Sequence, residues 1–518
     1  MPALHEWALS QPDKVAVQMA DGSGLLTYRE LDERANRAAQ WLLSLGLAPG
    51  ATVGLLLENH LRTFEIWWGA RRAGLYYVPL STHLKGAEIA YILRDCQASA
   101  LLASSATASL AAEAVQAFGA GELPHRFLLD GQASGFASYV KALETFADAG
   151  PLPERPMGRE FMYSSGTTGF PKGIRRALAP FERRRDLPPL EQRLRAIFRF
   201  DAETVYLSTS PLYHALGRFN IRTIECGGTC VIMGKYDALS ALQAIERYRV
   251  THSHWVPTML VRMLALPSEV RQAHDVSSMQ CAIHATAPCP VHVKRAMIEW
   301  WGPVMEEYYG GSENVGVTHI NASEWLAHPG SVGRPICGTV HIVSEDNPEV
   351  EIPAGEIGMV YFDGGVAFEY HNDQGKTRQA FNGRGWGTYG DLGSVDANGF
   401  LYLSDRRTDL IISGGVNIYP REIENVLDTH PCVAESAVIG VPNEEYGQEV
   451  KAVVQLKEGV PGTPELAEEL IALCRAHLSR LKCPRTVDFM QELPRNENGK
   501  LLKRVLREAH VKAVRQAA

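Results

Sequence analysis

The first part of the chain alternates amphipathic helices with short apolar runs, and this alternation restricts the fold more than any other feature. The stretch LTYRELDERANRAAQWLLSLG, residues 26–46, has the periodicity of a helix and ends at a glycine. It is followed by the apolar run ATVGLLLEN and, after a second helical stretch, by LYYVPL. Strands separated by helices run parallel and are covered on both faces. The sequence therefore predicts an α/β fold with parallel or mixed sheets wrapped by helices.

The length of the chain predicts more than one domain, because 518 residues exceed what a single core usually supports. A second pattern begins near Asp405, beyond which strand-like and helical runs suffice for a small α+β unit. We expect an N-terminal domain over 1–405 and a C-terminal domain over 406–518. The stretch 103–155 is rich in small residues and weakly patterned, which indicates peripheral surface structure.

Composition excludes several classes of protein. The net charge of −8 argues against a nucleic-acid partner, whose binding surface would be basic. No apolar run is long enough to span a membrane, and the first residues lack the pattern of a signal peptide. The nine cysteines are odd in number and scattered, so they predict free thiols. We therefore expect a cytoplasmic protein without a membrane span.

The run FMYSSGTTGFPKGI, residues 161–174, has the residue types of a polyphosphate-binding loop. Glycines let backbone amides approach an anion, hydroxyls donate to it and Lys172 supplies positive charge. The P-loop of nucleotide triphosphatases is a different arrangement, because Gly173 follows the lysine where that motif needs Ser or Thr. The spacing thus favours a phosphate cradle of another kind.

The order of these residues resembles the signature loop of the adenylate-forming superfamily, which contains acyl-CoA synthetases, aryl-CoA ligases, luciferases and peptide-synthetase adenylation domains. Other family motifs follow in the expected order: PLYHA at 211–215, YYGGSE at 308–313, GDLG around Asp391 and PRNENGKLLKR at 494–504. The resemblance covers nearly the whole chain. It implies a carboxylate–CoA ligase that forms an acyl-adenylate from ATP and then a thioester with CoA. It also implies that the C-terminal domain is a small mobile lid.

The resemblance also implies roles for individual residues. The catalytic set is Lys500, Lys172, His214 and Glu313, and Glu313 and Thr167 would hold Mg²⁺. The residues implied to bind ATP and AMP are Ser164, Ser165, Gly166, Thr167, Thr168, Gly169, Thr286, Ala287, Tyr309, Gly310, Ser312, Asp391 and Arg406. Those implied to bind CoA are Ser413, Gly414, Gly415, Lys482 and Arg485, and Thr408 takes the hinge position. Those implied to line the acid pocket are His214, Leu216, His254, Tyr308, Gly310 and Val315.

Three positions depart from the family pattern. Thr408 stands where the hinge is usually lysine or aspartate, Glu369 stands where glycine is usual, and Tyr389 stands where threonine is common. A hinge needs only to absorb a backbone rotation, so we expect the lid still to turn. Tyr389 is not a catalytic position, and its effect should be on local shape.

The acid and the acceptor remain open at this point. Amino acids are disfavoured, because the segment SPLYHALGRFN carries no carboxylate to hold an ammonium group. The motifs favour a fatty, alicyclic or steroid-type acid with free CoA as acceptor. An aryl acid of the benzoate or cinnamate type is an alternative, as are loading of a separate carrier protein, an oxidised adenylate, and a binding protein without catalysis. A homodimer is possible.

Overall fold

A computed structural model describes the chain at residues 2–119, 121–146, 150–164, 171–183, 186–366, 368–406, 409–413, 416–443, 446–496, 499 and 501–517. Its helices are α1 (Pro2–Ser10), α2 (Tyr28–Ser44), α3 (Arg62–Arg72), α4 (Gly86–Asp95), α5 (Ala108–Phe118), α6 (Tyr139–Glu144), α7 (Pro189–Ile197), α8 (Gly217–Glu225), α9 (Ala238–Tyr248), α10 (Pro257–Leu264), α11 (Ser268–Gln272), α12 (Val291–Trp301), α13 (Ala322–Ala327), α14 (Gln374–Gln379), α15 (Pro420–Leu427), α16 (Pro464–His477) and α17 (Lys503–Ala517). Short 3₁₀ turns lie at Phe181–Arg183 and Arg480–Lys482.

The strands are β1 (Val15–Met19), β2 (Leu25–Thr27), β3 (Thr52–Leu56), β4 (Tyr76–Leu80), β5 (Ala98–Ala103), β6 (His125–Leu128), β7 (Ala137–Ser138), β8 (Arg159–Glu160), β9 (Met162–Ser164), β10 (Lys172–Arg175), β11 (Val205–Ser208), β12 (Thr229–Ile232), β13 (His252–Trp255), β14 (Cys281–His284), β15 (Met305–Tyr309), β16 (Val317–Asn321), β17 (Arg334–Cys337), β18 (Thr339–Val343), β19 (Gly358–Asp363), β20 (Glu369–Tyr370), β21 (Gly387–Val395), β22 (Leu401–Arg406), β23 (Ile411–Ser413), β24 (Val416–Ile418), β25 (Val433–Asn443), β26 (Gly447–Leu456) and β27 (Thr486–Met490).

Two large sheets dominate the N-terminal part. One has the order β17-β16-β15-β14-β13-β11-β12-β1-β2 and is parallel from β15 to β1. The other is parallel throughout, with the order β7-β6-β5-β3-β4-β8. Helices cover both, so the α/β fold predicted from the alternating pattern is confirmed.

The predicted first helix is α2, and its start follows from a capping box. The Thr27 side chain accepts a hydrogen bond from the Glu30 amide, and the Glu30 carboxylate accepts one from the Thr27 amide. The helix packs closely on α3, where a Cβ added at Gly69 would lie 2.7 Å from the Cβ of Ala38. Only glycine permits this approach.

The stretch 103–155 is not peripheral, and the prediction that it would be was wrong. It contributes β6 and β7 to the second sheet, where β6 pairs in parallel with β5. Helix α5 packs beside α4 with Ala111, Ala114 and Val115 buried. Small apolar residues fill this layer without producing a strong periodic pattern, so the layer could not be recognised from hydrophobic periodicity.

The C-terminal part has a sheet of its own, with the order β24-β23-β26-β25 and β27 beside β26. Helices α15 and α16 cover a core that includes Ile423, Leu427 and Leu470. A loop held by the pairing of Arg495 with Leu501 reaches from this domain to the N-terminal part. A Cβ added at Gly499 would lie 2.5 Å from Oγ1 of Thr258 in α10.

Among the described residues, no helix combines the length and the apolar character that crossing a membrane requires.

Candidate active site

The predicted site segments gather at one edge of the nine-stranded sheet. The segment 211–215 follows β11, Thr286 follows β14, and the segment 310–313 follows β15. These three strands run parallel within one ladder, together with β13. The carboxyl ends of parallel strands meet at the same edge, which is where ligands bind in open α/β sheets.

The phosphate-loop strands bring Lys172 towards Glu313. Strands β9 and β10 pair with Lys172 opposite Ser164, and β20 continues this small sheet. The Lys172 ammonium lies 5.2 Å from the ring centre of Tyr370, whose hydroxyl donates to Oε1 of Glu313 at 2.9 Å. Burial and the nearby Lys376 lower the pKa of Lys172. The loop itself, with Ser165, Gly166, Thr167, Thr168 and Gly169, lies outside the described residues.

Arg176 holds the turn that carries Ser312 and Glu313. The Arg176 guanidinium donates to the Ser312 carbonyl. The side-chain amide of Asn314 is oriented so that both its oxygen and its nitrogen are hydrogen-bonded. Its oxygen accepts from Nη1 and Nη2 of Arg176 at 3.1 and 3.2 Å, and its nitrogen donates to the Gly311 carbonyl at 2.9 Å. Burial, together with Arg218 and Arg159, lowers the pKa of Arg176 to about 10. Sequence reasoning missed this residue, although the pair Arg175–Arg176 directly after the signature loop was visible.

Tyr389 also supports this turn, through contacts with Gly311 and Gly316. Its hydroxyl donates to the Gly316 carbonyl at 2.8 Å, and a Cβ added at Gly311 would contact its ring. Burial raises the pKa of Tyr389, so the hydroxyl stays protonated. The larger residue at this position therefore buttresses the turn.

The predicted ribose and adenine residues lie next to each other. The Tyr309 hydroxyl donates to Oδ2 of Asp391 at 2.6 Å, and Asp391 pairs with Arg406 between β21 and β22. The Tyr309 ring meets that of Tyr389 edge to face at 5.5 Å. Asp391 is buried, so the ring and the carboxylate hold each other in place.

Thr286, predicted with Ala287 to form the other adenine wall, has a φ of +77°. A β-branched residue is a true outlier in this region, and such strain concentrates at functional sites. The Thr286 side chain is exposed, so no packing of that side chain explains the conformation.

The segment 211–215 is fixed by a side chain that sequence reasoning did not single out. The Asn59 amide donates to the carbonyls of Ser210 and Met233 at 3.3 and 2.7 Å and accepts from the Leu212 amide at 2.7 Å. His214, two residues further on, is half-buried, and burial together with His83 lowers its pKa to about 4. It is therefore neutral at physiological pH.

The predicted acid pocket contains a cluster of rings. His254 and Tyr308 lie 5.7 Å apart between ring centres, and Phe219 of α8 lies 4.8 Å from the former and 6.2 Å from the latter. Burial raises the pKa of Tyr308 to about 12. We call Phe219, His254 and Tyr308 the aromatic cage.

Two residues predicted for the acid pocket point elsewhere. Val315 is buried in a separate core with Phe362, and a Cβ added at Gly387 would touch its side chain. Leu216 packs with Trp255, on the face of the large sheet opposite His254. The acid-pocket roles of Val315 and Leu216 remain predictions, and the structure shows both side chains buried in hydrophobic cores. Gly310 continues directly from β15, beside Val317.

The predicted CoA residues that the structure describes lie in the C-terminal part, and Ser413 pairs with Gly447, next to Tyr446. Ser413 is buried in β23, and the Lys482 ammonium contacts both carboxylate oxygens of Glu422 at 2.7 and 2.8 Å. Arg485 covers the Tyr446 ring at 4.7 Å. Gly414, Gly415, the hinge residue Thr408 and Lys500 lie outside the described residues.

Comparison with known proteins agrees with this arrangement. The family model described as AMP-binding enzyme matches residues 4–370, and that described as AMP-binding enzyme C-terminal domain matches residues 422–500. The chain belongs to the AMP-binding enzymes. It is an acid–thiol ligase that makes acyl- or aryl-CoA from an acyl-adenylate, and enzymes of this family use ATP and CoA as substrates.

The relatives of the ligase differ in their acids. The 2-succinylbenzoate–CoA ligase of Bacillus pumilus is 31% identical over 508 residues, with 96% of this chain and 95% of that protein covered. The long-chain-fatty-acid–CoA ligase of Bacillus subtilis is 30% identical over 543 residues, covering 98% and 93%. The crystal structure of an anthranilate CoA ligase with anthranoyl-AMP has a TM-score of 0.85 at 28% identity, covering 99% and 98%.

The support of the turn by Arg176 gives a first prediction. Arg176→Met should slow adenylation about 100-fold, because a displacement of about 1 Å at a reacting centre has an effect of this order. ATP–pyrophosphate exchange measures the step. The matched control is Arg175→Met, since the Arg175 guanidinium lies 4.9 Å from the ring centre of Tyr76, away from the turn. Equal effects of the two substitutions would contradict the role of Arg176.

The strain at Thr286 gives a second prediction. Thr286→Gly should leave the ligase as stable or stabilise it by about 1 kcal/mol, because glycine adopts a positive φ without cost. Thr145, exposed with a φ of −66°, is the control. Thr145→Gly should destabilise by about 0.5–1 kcal/mol through the entropy of glycine. Thermal unfolding of both variants measures the change in stability. A clear loss of stability in Thr286→Gly would contradict the inference that the backbone is strained there.

Proposed function

We propose that the ligase activates a hydrophobic carboxylic acid with a ring-bearing body, alicyclic, steroid-type or aryl, and transfers it to CoA. The observation that carries this proposal is the aromatic cage, in which ring centres lie 4.8–6.2 Å apart behind the segment 211–215. Rings pack well in offset and edge-to-face arrangements at these distances, so such a wall favours a ring over a flexible linear chain. The names of two relatives, 2-succinylbenzoate and anthranilate ligases, support a cyclic acid.

The first half-reaction needs the phosphates and the acid in one place. A carboxylate oxygen of the acid attacks the α-phosphorus of ATP, and pyrophosphate leaves. In our proposal Lys172 and the signature loop bind the leaving phosphates, and Asp391 accepts from the ribose hydroxyls. Fixed positive charge stabilises the negative charge that develops on the phosphoryl oxygens.

Glu313 fits the part of an Mg²⁺ ligand. Its Oε1 is fixed by Tyr370, and Lys172 lies beyond the Tyr370 ring. Within the described part of the chain, no group of three or more His, Cys, Asp or Glu side chains could hold a metal ion. A single carboxylate with Thr167 suits Mg²⁺, which usually completes its shell with water and substrate phosphates and would neutralise phosphate charge here.

The second half-reaction requires the lid to turn. The CoA sulfur then attacks the acyl carbon, and AMP leaves. The contact of Gly499 with Thr258 brings the loop before Lys500 to the end of β13 and supports an adenylation arrangement. Residues 406–518 would then rotate about Thr408 to present Ser413, Gly414, Gly415, Lys482 and Arg485 to CoA.

One experiment tests the reaction and the acid together. The purified protein is incubated with ATP, Mg²⁺, CoA and a pool of fatty, alicyclic, steroid-type and aryl acids, and mass spectrometry identifies the thioester. We expect a cyclic acyl-CoA with an equal amount of AMP. Thioesters of linear acids alone would overturn the ring-bearing class, and AMP without a CoA ester would indicate a different acceptor.

The role of Lys500 gives a further prediction. Lys500→Ala should reduce adenylation by about 100-fold or more while leaving thioester formation from a supplied acyl-adenylate largely intact, because the lysine serves one lid position only. Each half-reaction is measured separately, with the exposed Lys512→Ala as control. Equal losses in both half-reactions would contradict the assignment.

A further inference from the structure

One buried polar side chain of the aromatic cage, His254, lies close to two others. Asn220 and Arg222 belong to α8 and His254 to β13, and their exposed fractions are 0%, 5% and 1%. Buried polar groups are normally hydrogen-bonded, and leaving one without a partner costs about 1–3 kcal/mol. Within the described part of the chain, each of these side chains nevertheless has a polar atom without a hydrogen-bond partner.

Shared neighbours link each of the two α8 side chains to His254. Ser208 of β11 lies directly opposite His254 in the parallel ladder, so the two side chains share a face. Asn220 donates through Nδ2 to Oγ of Ser208 at 3.0 Å, which sets its amide next to His254. The Arg222 guanidinium lies 4.5 Å from the ring centre of Phe219, and that ring lies 4.8 Å from His254.

Four atoms of this set lack a hydrogen-bond partner among the described residues: Oδ1 of Asn220, Nη1 of Arg222, and Nδ1 and Nε2 of His254. His252, on the same strand, is a structural histidine in which both ring nitrogens are hydrogen-bonded. Its Nδ1 pairs with Oγ1 of Thr251 and its Nε2 with the Phe198 carbonyl, each at 2.8 Å. The missing partners of His254 are therefore not a general property of this strand.

The charges around the set favour an uncharged ligand group. Arg222 donates through Nε and Nη2 to the two carboxylate oxygens of Glu191 at 2.7 and 2.8 Å, which pairs it with a carboxylate and leaves Nη1 for another acceptor. Burial and Arg222 lower the pKa of His254 to about 3, so its ring is neutral with one donor and one acceptor. Together the four atoms offer donors and acceptors that match a hydroxyl or a keto oxygen.

We propose that Asn220, Arg222 and His254 form a polar subsite in the wall of the acid pocket that recognises a hydroxyl or keto oxygen on the ring of the acid. This inference rests on the proposed function, since it concerns the same pocket. It narrows the substrate from a hydrophobic ring-bearing acid to one that carries an uncharged oxygen substituent remote from the reacting carboxylate.

Matched acids test the subsite. The parent acids are 3-phenylpropanoate and cyclohexanecarboxylate. 3-Phenylpropanoate is compared with 3-(4-hydroxyphenyl)propanoate and with the dicarboxylate 3-(4-carboxyphenyl)propanoate. Cyclohexanecarboxylate is compared with its 4-hydroxy and 4-oxo analogues. Two readouts are used: kcat/KM for thioester formation and the shift in Tm that each acid causes in the presence of AMP. We expect the hydroxy and oxo acids to have kcat/KM values at least about tenfold higher than those of the unsubstituted acids. We also expect them to cause the larger shift in Tm.

The two readouts separate the subsite from the reaction. A Tm preference for oxygenated acids without any thioester would overturn the proposed function and leave the subsite standing. Thioester formation, or a Tm shift, that does not distinguish parents from oxygenated analogues would overturn the subsite. A preference for the dicarboxylate, or no Tm shift from any probe, would overturn recognition of an uncharged oxygen at this place.

Two phenylalanine variants on one strand supply the matched control. His254→Phe should reduce the preference for oxygenated acids at least about tenfold without lowering Tm, because it removes two unpartnered nitrogens from a buried site. His252→Phe should lower Tm through loss of two hydrogen bonds and keep the preference. Asn220→Leu serves as a second test if His254→Phe does not fold. Retention of the preference in both His254→Phe and Asn220→Leu would contradict the proposal.

Discussion

The parallel pairing of β11, β13, β14 and β15 is the constraint on which the rest of the site depends. Strands in a parallel ladder end at the same edge, so the segments that follow them are forced together although they are far apart in sequence. The strands are buried between helices on both faces, and their side chains alternate between two cores. One face carries the aromatic cage and the polar side chains of α8, while the other carries Trp255 and Met305.

The site built on this edge combines several supports from the N-terminal part with a contribution from the C-terminal part. Arg176 and Tyr389 hold the turn of Ser312 and Glu313, and Asn59 holds the segment before His214. Each support acts through hydrogen bonds to backbone groups, which fixes the course of the loop. The C-terminal part contributes Gly499, the only described residue of the stretch 497–500, which lies against Thr258.

Sequence reasoning found the class of fold and the order of the motifs, because both depend on local patterns. Hydrophobic periodicity identified α2, and the signature loop identified the family of AMP-binding enzymes. It failed where the outcome depended on packing. The small residues of 103–155 gave no periodic signal, yet they complete a parallel sheet, and Val315 lies in a core that motif position alone could not reveal. Arg176 was visible as a residue, but its contact with Ser312 spans 136 positions along the chain.

The sequence by itself determined the α/β architecture, the reaction class and the positions of the motifs. These features depend on hydrophobic patterns and residue order within short stretches of the chain. Only the tertiary structure decided which buried polar groups have a hydrogen-bond partner and which have none among the described residues. His252 and His254 look equivalent in the sequence THSHWVP, and both are buried on the same face of one strand. The Phe198 carbonyl, which lies 54 residues from His252, satisfies that ring, while among the described residues no group pairs with the nitrogens of His254. Whether a buried polar atom has a partner depends on chain segments distant in sequence, and only folding brings those segments together.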